Sequence, residues 1–371
     1  MRRSFGPWAP WFVTFSVSSI MFSLSSLTVY AYVAPFIKNW GLSNAQRKSH
    51  ISAVDAWKIE EGSRDVIVAV IDTGIDPTHK ALVRNLWRQP NSKNSNVFGW
   101  NFVTDHPNPV DDHGHGTHVA GIIGAVGDPE SGVSGVAHNV SIMAVKYYWE
   151  ANSGKVNLAN TVKAINYAVD HGAKIINYSG GGPEFSEDEY LAIKRAEAHG
   201  VLVVAAAGNE HQNSDVPENY YYPAAYQLSN IISVAATDMN NMLLASSNWG
   251  SKVDVAAPGE NIYSTLPQNR YGMMTGTSQA TAFVSGVAAL LLSKDPKLKP
   301  FQIREIIKKS VDRFAHLQNK TATGGRVNAY SALLALKDRG RLVTNPGKSD
   351  LVARRPVSLL RSLIESPGFA Q

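Results

Sequence analysis

In this 371-residue chain, an aspartate stands at the end of a predicted strand, and a histidine and a serine each stand at the start of a predicted helix. Asp72 directly follows an apolar run over residues 66–71, which is typical of a strand buried on both faces. His115 and Ser278 each stand at the start of a pattern typical of a helix. In a parallel α/β sheet, functional groups gather at the carboxyl ends of the strands. The three side chains are therefore expected to converge on one site.

These residue types can together perform nucleophilic acyl transfer. A serine hydroxyl becomes a nucleophile when a neutral imidazole takes its proton, and a buried carboxylate holds that imidazole in the required tautomer. The helix N-terminus at Ser278 offers a backbone N–H to a developing oxyanion. Asn209, which follows another apolar run, offers a second donor.

The elements that must position these residues form one continuous α/β pattern. Helical patterns cover residues 160–169 and 186–199, and residues 278–293 are so apolar that they predict a central helix. Short apolar runs typical of buried strands occupy residues 66–71, 140–145, 174–178, 201–206, 231–236 and 253–256. Strands that alternate with helices predict an α/β fold, a three-layer sandwich with a mostly parallel sheet and helices on both faces.

At these motifs the chain resembles the subtilisin-like serine proteases, the subtilase or peptidase S8 family. The motifs D-T-G-I-D, H-G-T-H-V-A-G, A-A-A-G-N, A-P-G and G-T-S follow one another in the family's order, within about residues 40–336. By this resemblance, Asp72, His115 and Ser278 match the catalytic triad and Asn209 matches the oxyanion-hole amide. The resemblance implies a secreted endopeptidase that hydrolyses peptide bonds through an acyl-enzyme.

The resemblance also implies a cleft for polypeptide substrates. Two edge segments would hydrogen-bond an extended peptide between them as an added strand, and a third segment would form a wall of the pocket for the residue before the cut. The substrate-binding residues implied in this way are Gly154, Ser179, Gly180, Gly181, Ala207 and Gly208.

Tyr221 leads to a hypothesis about side-chain preference in that pocket. It stands where the family often has a small residue, just before a Tyr-Pro pair at the pocket floor. A ring that points inward would occupy the volume of a Phe or Leu side chain of the substrate, and overpacking costs about 1–3 kcal/mol. The hypothesis is a preference for small or medium side chains before the cut.

Two departures from the family bear on partners and metals. The family usually carries an inhibitory propeptide, whereas here only about ten residues separate the expected signal cleavage from Trp40, which resembles the start of a mature enzyme. A propeptide-like inhibitor or chaperone acting in trans is one way to supply it. Ala81 stands where the family's tight calcium site has an aspartate, so no cofactor is expected to be required. A weak structural calcium site is considered at Asp254, although a lone carboxylate makes a poor calcium cage.

Basic charge is concentrated at the two ends of the chain, and this argues against a nucleic-acid partner. The net charge is +5. The first fifty residues carry five basic and no acidic side chains, and residues 340–371 carry five basic and two acidic ones. The region between them is therefore net negative, so the overall basic charge does not indicate nucleic-acid binding.

The same pattern divides the chain into segments: a signal peptide over residues 1–31, a short N-terminal arm over residues 32–44, the peptidase domain over residues 45–339 and a basic, flexible tail over residues 340–371. Arg2 and Arg3 precede a long uncharged stretch, as in export signals. The alternative is an uncleaved membrane anchor over residues 5–37. The expected location is therefore secreted or periplasmic, or else membrane-anchored.

Other chemistries fit the sequence less well. The chain has no cysteine, so thiolate catalysis and disulfides are excluded. A second D-T-G, which an aspartic protease would need, is absent. His115 and His118 lie on one helical face, but no third zinc-ligand pattern accompanies them. The alternative that stays open is a non-catalytic or partner-activated peptide-binding module.

Overall fold

The computed structural model describes residues 37–44, 46–90 and 97–343, with side chains to residue 336. The expected signal peptide lies outside these residues, as does all but the beginning of the expected tail. Within the described part of the chain, strands and helices alternate as the apolar pattern predicts.

The strands form a large sheet and a separate hairpin. Their bounds are β1 (Gly62–Asp72), β2 (Gly99–Asn101), β3 (Asn139–Lys146), β4 (Ile175–Tyr178), β5 (Leu202–Ala206), β6 (Ile231–Thr237), β7 (Val255–Pro258), β8 (Ile262–Leu266), β9 (Arg270–Met274), β10 (Asp312–Arg313) and β11 (Gly325–Arg326). The large sheet has the order β10-β11-β7-β6-β5-β4-β1-β3-β2. Its pairings are parallel except β10 with β11, and β8 pairs with β9 in the hairpin.

Seven α-helices cover the described part of the sheet and its ends. They are α1 (Ala53–Trp57), α2 (His115–Gly124), α3 (Gly154–Asp170), α4 (Glu187–Ala198), α5 (Thr277–Lys294), α6 (Pro300–Lys309) and α7 (Ala329–Val343). The central helix is α5, which is buried from Thr277 to Leu292. Its apolar composition therefore predicts its place correctly.

Alternating side chains of β1 show why the molecule has three layers. Val68 and Val70 pack in an apolar cluster with α2 and α5, whereas Ala69 and Ile71 pack in a second cluster with α3 and α4. Successive side chains of a strand point to opposite faces of the sheet. The sheet is therefore the middle layer, and the predicted three-layer α/β fold is confirmed.

Described residues on either side of the predicted domain, residues 45–339, pack against it or continue its last helix. In the expected arm, Leu42 is fully buried, and the Trp40 indole N–H donates to the Glu260 carbonyl oxygen at 2.9 Å. At the other end, α7 continues to Val343. None of the helices in the described part of the chain has the length and apolar composition of a membrane span.

Candidate active site

Asp72 and His115 are joined directly at the carboxyl end of β1. Asp72 is the last residue of β1 and is 4% exposed, and His115 is the first residue of α2. His115 Nδ1 lies 2.7 Å from Asp72 Oδ1, and the Thr73 N–H donates to the same oxygen at 2.8 Å. The carboxylate therefore fixes the orientation of the ring, with Nε2 on the side of the ring away from Asp72.

Gly116 lets α2 approach the end of β1 closely enough for this contact. A Cβ atom at Gly116 would lie 2.1 Å from the Gly74 carbonyl oxygen and 3.1 Å from Asp72 Cβ. The Gly116 N–H also donates to the Thr73 hydroxyl at 2.9 Å. A larger residue would have to push the helix, and His115 with it, away from Asp72.

Asp111 is a positioning residue that the sequence analysis missed. One of its oxygens accepts the Thr73 hydroxyl at 2.8 Å and the Gly114 N–H at 2.8 Å. The other accepts the Thr117 hydroxyl at 2.6 Å and the Thr117 N–H at 2.9 Å. Asp111 thus ties the turn after Asp72 to the first turn of α2. An aspartate just before a helix start is a capping signal that sequence reasoning could have used.

The surroundings of the two helical histidines differ. Burial alone would lower the pKa of His115, but the Asp72 carboxylate, by charge and hydrogen bond, raises that pKa above the ordinary value. His118 is fully buried, its Nε2 lies 2.9 Å from the Ile262 carbonyl oxygen, and burial lowers its pKa to about 4. The two imidazoles face separate partners, and the described residues contain no group of three acidic or histidine side chains that could hold a metal. A shared zinc site is not supported.

Ser278 lies at the start of α5 against a predicted substrate segment. It is the second residue of the helix and is 7% exposed. Its hydroxyl donates to the Ser179 carbonyl oxygen at 2.8 Å, and the Ser179 hydroxyl donates to the Ser278 carbonyl oxygen at 3.1 Å. The structure therefore joins Asp72 with His115 and Ser278 with Ser179, while the Ser278 hydroxyl directs this hydrogen bond to Ser179 and not to the imidazole.

Asn209 lies beside the N-terminus of α5. Its Oδ1 accepts the Thr277 N–H at 2.9 Å and the Thr277 hydroxyl at 3.2 Å. Asn209 is exposed, and because these contacts engage Oδ1, Nδ2 is the remaining polar group of the amide. The predicted amide donor and the predicted serine are thus held next to each other.

The predicted substrate segments border one open cavity. Gly154 and Gly181 both line a cavity of about 550 Å³, and both are exposed. Gly180 sits against a buried ring, because a Cβ atom there would lie 2.3 Å from the Tyr147 hydroxyl oxygen. Ala207 is 2% exposed, and its backbone bonds inward to Val234 and Asn248.

Tyr221 lies between two of the predicted pocket walls. Its Cε1 is 2.5 Å from the position of a Cβ atom at Gly181, and its Cδ2 is 3.0 Å from the equivalent position at Gly208. Burial, with Glu210 and Glu189 nearby, raises the pKa of its hydroxyl well above the ordinary value. The neutral ring of Tyr221 therefore lies against Gly181 and Gly208, which have no side chains.

Asp254 does not fit the calcium site considered from the sequence. Its Oδ1 lies 2.7 Å from Arg304 Nη2 and 3.0 Å from Lys308 Nζ. Its Oδ2 accepts the Arg304 Nε–H at 3.2 Å and the Ser233 N–H at 3.2 Å. Two cations already occupy both oxygens, so Asp254 is a structural ion-pair residue. These ion pairs argue against a calcium site at Asp254, and the local sequence does not indicate them because Arg304 and Lys308 lie fifty or more residues further along the chain.

Comparison with known proteins agrees with this geometry. The sequence profile of the subtilase family matches residues 63–331. Thermitase of Thermoactinomyces vulgaris is 40% identical over 283 residues, which cover 76% of this chain and 93% of that protein. The major intracellular serine protease of Bacillus subtilis (strain 168) is 40% identical over 247 residues, covering 66% of this chain and 73% of that protein.

Solved structures show the same similarity. A protease from Pseudoalteromonas arctica PAMC 21717 is 26% identical with a TM-score of 0.67, covering 81% of this chain and 99% of that one. A cold adapted subtilisin-like serine proteinase is 30% identical with a TM-score of 0.59, covering 72% and 90% respectively. The chain therefore belongs to the subtilase family and is a serine-type endopeptidase that acts on polypeptides.

Proposed function

We propose that this endopeptidase cuts peptide bonds with Ser278 as nucleophile, His115 as general base and Asp72 as the group that orients the base. The observation that carries the proposal is the 2.7 Å contact between Asp72 Oδ1 and His115 Nδ1. It presents Nε2 of a partly exposed imidazole at the carboxyl end of β1, the edge of the sheet where catalytic groups gather.

Catalysis begins when the Ser278 hydroxyl turns from the Ser179 carbonyl oxygen to His115 Nε2. Such contacts often form only when substrate binds. Serine Oγ attacks the scissile carbonyl carbon as Nε2 takes its proton, and the Asn209 Nδ2 and Ser278 N–H groups donate to the resulting oxyanion. The imidazolium then protonates the leaving amine, which leaves an acyl-enzyme. Water, activated by the same imidazole, hydrolyses the ester and restores the serine.

Replacement of the nucleophile is the direct test. Ser278→Ala is expected to lower kcat/KM on an unfolded protein substrate by at least about a thousandfold and to abolish labelling by a fluorophosphonate. Ser229→Ala changes an exposed serine in a segment that carries none of the proposed catalytic residues, and it serves as the matched control. Hydrolysis retained by Ser278→Ala would overturn the proposal. A wild-type chain that neither labels nor cleaves would favour the non-catalytic or partner-activated alternative.

We also propose export and control by a separate chain. The support for export is the charged start and uncharged stretch of residues 1–31. Mass spectrometry of the chain recovered from the medium and from membranes would distinguish cleavage after Ala31 from a retained anchor.

For a propeptide-like partner in trans, the test is refolding of purified residues 32–371 with and without extracts of the source cells. Full activity recovered without them would refute this partner.

The position of Tyr221 supports a narrow pocket for the residue before the cut. Its ring contacts both predicted walls, so large substrate side chains would have to displace it. We expect cleavage-site profiling of a denatured proteome to give mainly small or medium residues before the cut. Tyr221→Gly is expected to admit Phe and Leu, whereas Tyr220→Gly, one residue away, is the control. A wild-type preference for Phe, Tyr or Leu would contradict this assignment.

A further inference from the structure

The 550 Å³ cavity between the predicted substrate segments is lined in part by four tyrosines. We call it the tyrosine pocket, because Tyr147, Tyr148, Tyr178 and Tyr222 all contribute to its lining. Gly154 stands on one side of it and Gly181 on the other. It therefore opens to the groove in which a bound peptide is expected to lie, and a substrate side chain is the natural occupant.

Glu189 is the one carboxylate among the buried residues that line the tyrosine pocket. It lies in the first turn of α4 and is 1% exposed. Its Oε2 accepts the Tyr226 hydroxyl at 2.8 Å, whereas Oε1 has no hydrogen-bond partner. Burial raises the pKa of Glu189, an effect that Tyr226 and Tyr178 oppose. Burying a carboxylate oxygen without a partner costs free energy that a ligand donor would recover.

Acidic side chains outnumber basic ones around the tyrosine pocket. Lys155 and Glu184 line its rim, and both are exposed, so their opposite charges offset each other and are screened by solvent. The buried Glu189 carboxyl is left, and a bound cation would favour its ionised form. Tyrosine faces add attraction for a cation and contact surface for an aliphatic stem.

We infer that the tyrosine pocket binds a Lys or Arg side chain of the substrate upstream of the cut, with its cation paired to the Glu189 carboxylate. The inference rests on the proposed function, because it uses the same peptide groove. Ser179 contacts Ser278, and the segment from Ser179 to Gly182 leads away from it. At ~3.3 Å per extended residue, the pocket serves a side chain within about four residues of the scissile bond.

The test measures peptide binding without turnover. In the full chain carrying Ser278→Ala, fluorescence anisotropy gives the Kd of labelled peptides in which one upstream position is either Lys or norleucine, its uncharged analogue. At one position we expect Lys to bind about tenfold more tightly, the scale of one charge-assisted hydrogen bond. Glu189→Gln keeps an acceptor for Tyr226 and is expected to remove this preference. Glu187→Gln, an exposed carboxylate on the same helix, is expected to preserve it.

The outcomes separate this inference from the proposed function. Norleucine binding as tightly as Lys at every position overturns the inference, and so does a Lys preference that survives Glu189→Gln. The comparison of Lys with norleucine in the parent chain needs no second variant, so it decides even if Glu189→Gln fails to fold. Failure of Ser278 as nucleophile would appear instead as hydrolysis of these peptides by the Ser278→Ala chain.

Discussion

Two buried aspartates, one after a strand and one before a strand of the parallel sheet, have different kinds of basic partner. Asp72 is the last residue of β1, and Asp254 immediately precedes β7. Each is 4% exposed. Asp72 contacts the imidazole of His115, whose charge changes near neutral pH. Asp254 contacts Arg304 and Lys308, whose charges do not.

The difference shows that burial and residue type alone do not identify a functional carboxylate. A carboxylate paired with two permanently charged side chains takes no part in proton transfer, and its ion pairs contribute to the stability of the fold. A carboxylate paired with an imidazole at the carboxyl end of a strand can support proton transfer in a cleft. The comparison predicts that equivalent substitutions at the two positions affect different measurements.

Asp72→Asn is expected to have the largest effect, and the effect is on catalysis. An amide at this position no longer holds the required tautomer or stabilises the imidazolium, and in serine-protease triads this costs about 10⁴-fold in kcat. The measurement is kcat on a short peptide ester, with circular dichroism to show that the fold is kept. Asp254→Asn is expected to leave kcat nearly unchanged, and comparable losses in the two variants would contradict the division of roles.

The pH profile gives the sign of the electrostatic effect of Asp72. In the proposed mechanism activity requires neutral His115, and Asp72 raises the pKa of His115 above the ordinary value of 6.5. In the wild type, kcat/KM should therefore rise with pH through a midpoint above 6.5. In Asp72→Asn the raising effect is gone and burial remains, so the midpoint of the residual activity should move below that of the wild type. An unmoved midpoint would show that Asp72 does not act through His115.

Asp254→Asn is expected to affect stability, by a smaller amount. Removing the carboxylate leaves Arg304 and Lys308 beside each other, but their side chains are 23% and 22% exposed, so water screens part of the cost. We expect the free energy of unfolding to fall by about 1–3 kcal/mol. Urea titration in the Ser278→Ala background avoids self-digestion. Asp170→Asn, in an exposed pair with Arg195, should cost less than about 1 kcal/mol.

Strands, helices and motifs whose signal lies in consecutive residues could be predicted from the sequence. The apolar run of β1 and the apolar composition of α5 each identify their element, and the motifs around Asp72 and His115 identify residues that the structure joins. The hairpin of β8 and β9 was missed because residues 262–274 contain no continuous apolar run.

Features that depend on distant residues could not be read in the same way. The role of Asp254 depends on Arg304 and Lys308 in α6. The floor of the tyrosine pocket depends on Glu189 and Tyr226, which belong to separate segments and meet only in the folded chain. Glu189 lies in the acidic first turn of a helix and Tyr226 in a short segment after Pro223, and neither local pattern indicates a pocket.

Calcium is expected to have the smallest effect. The oxygens of Asp254 are taken by cations, and Ala81, which is 2% exposed, brings no carboxylate to the position where the family's tight site has one. Calcium requires six to eight oxygen ligands. A site with a Kd of about 1 μM would add about 4 kcal/mol of stability at about 1 mM calcium. We therefore expect the Tm of the Ser278→Ala chain to be the same in EDTA and in about 1 mM calcium, within the precision of calorimetry. A large rise in Tm with calcium, retained in Asp254→Asn, would place a cation site elsewhere in the chain. A rise abolished by Asp254→Asn would show that calcium displaces Arg304 and Lys308, and the contrast between the two aspartates would then have to be redrawn.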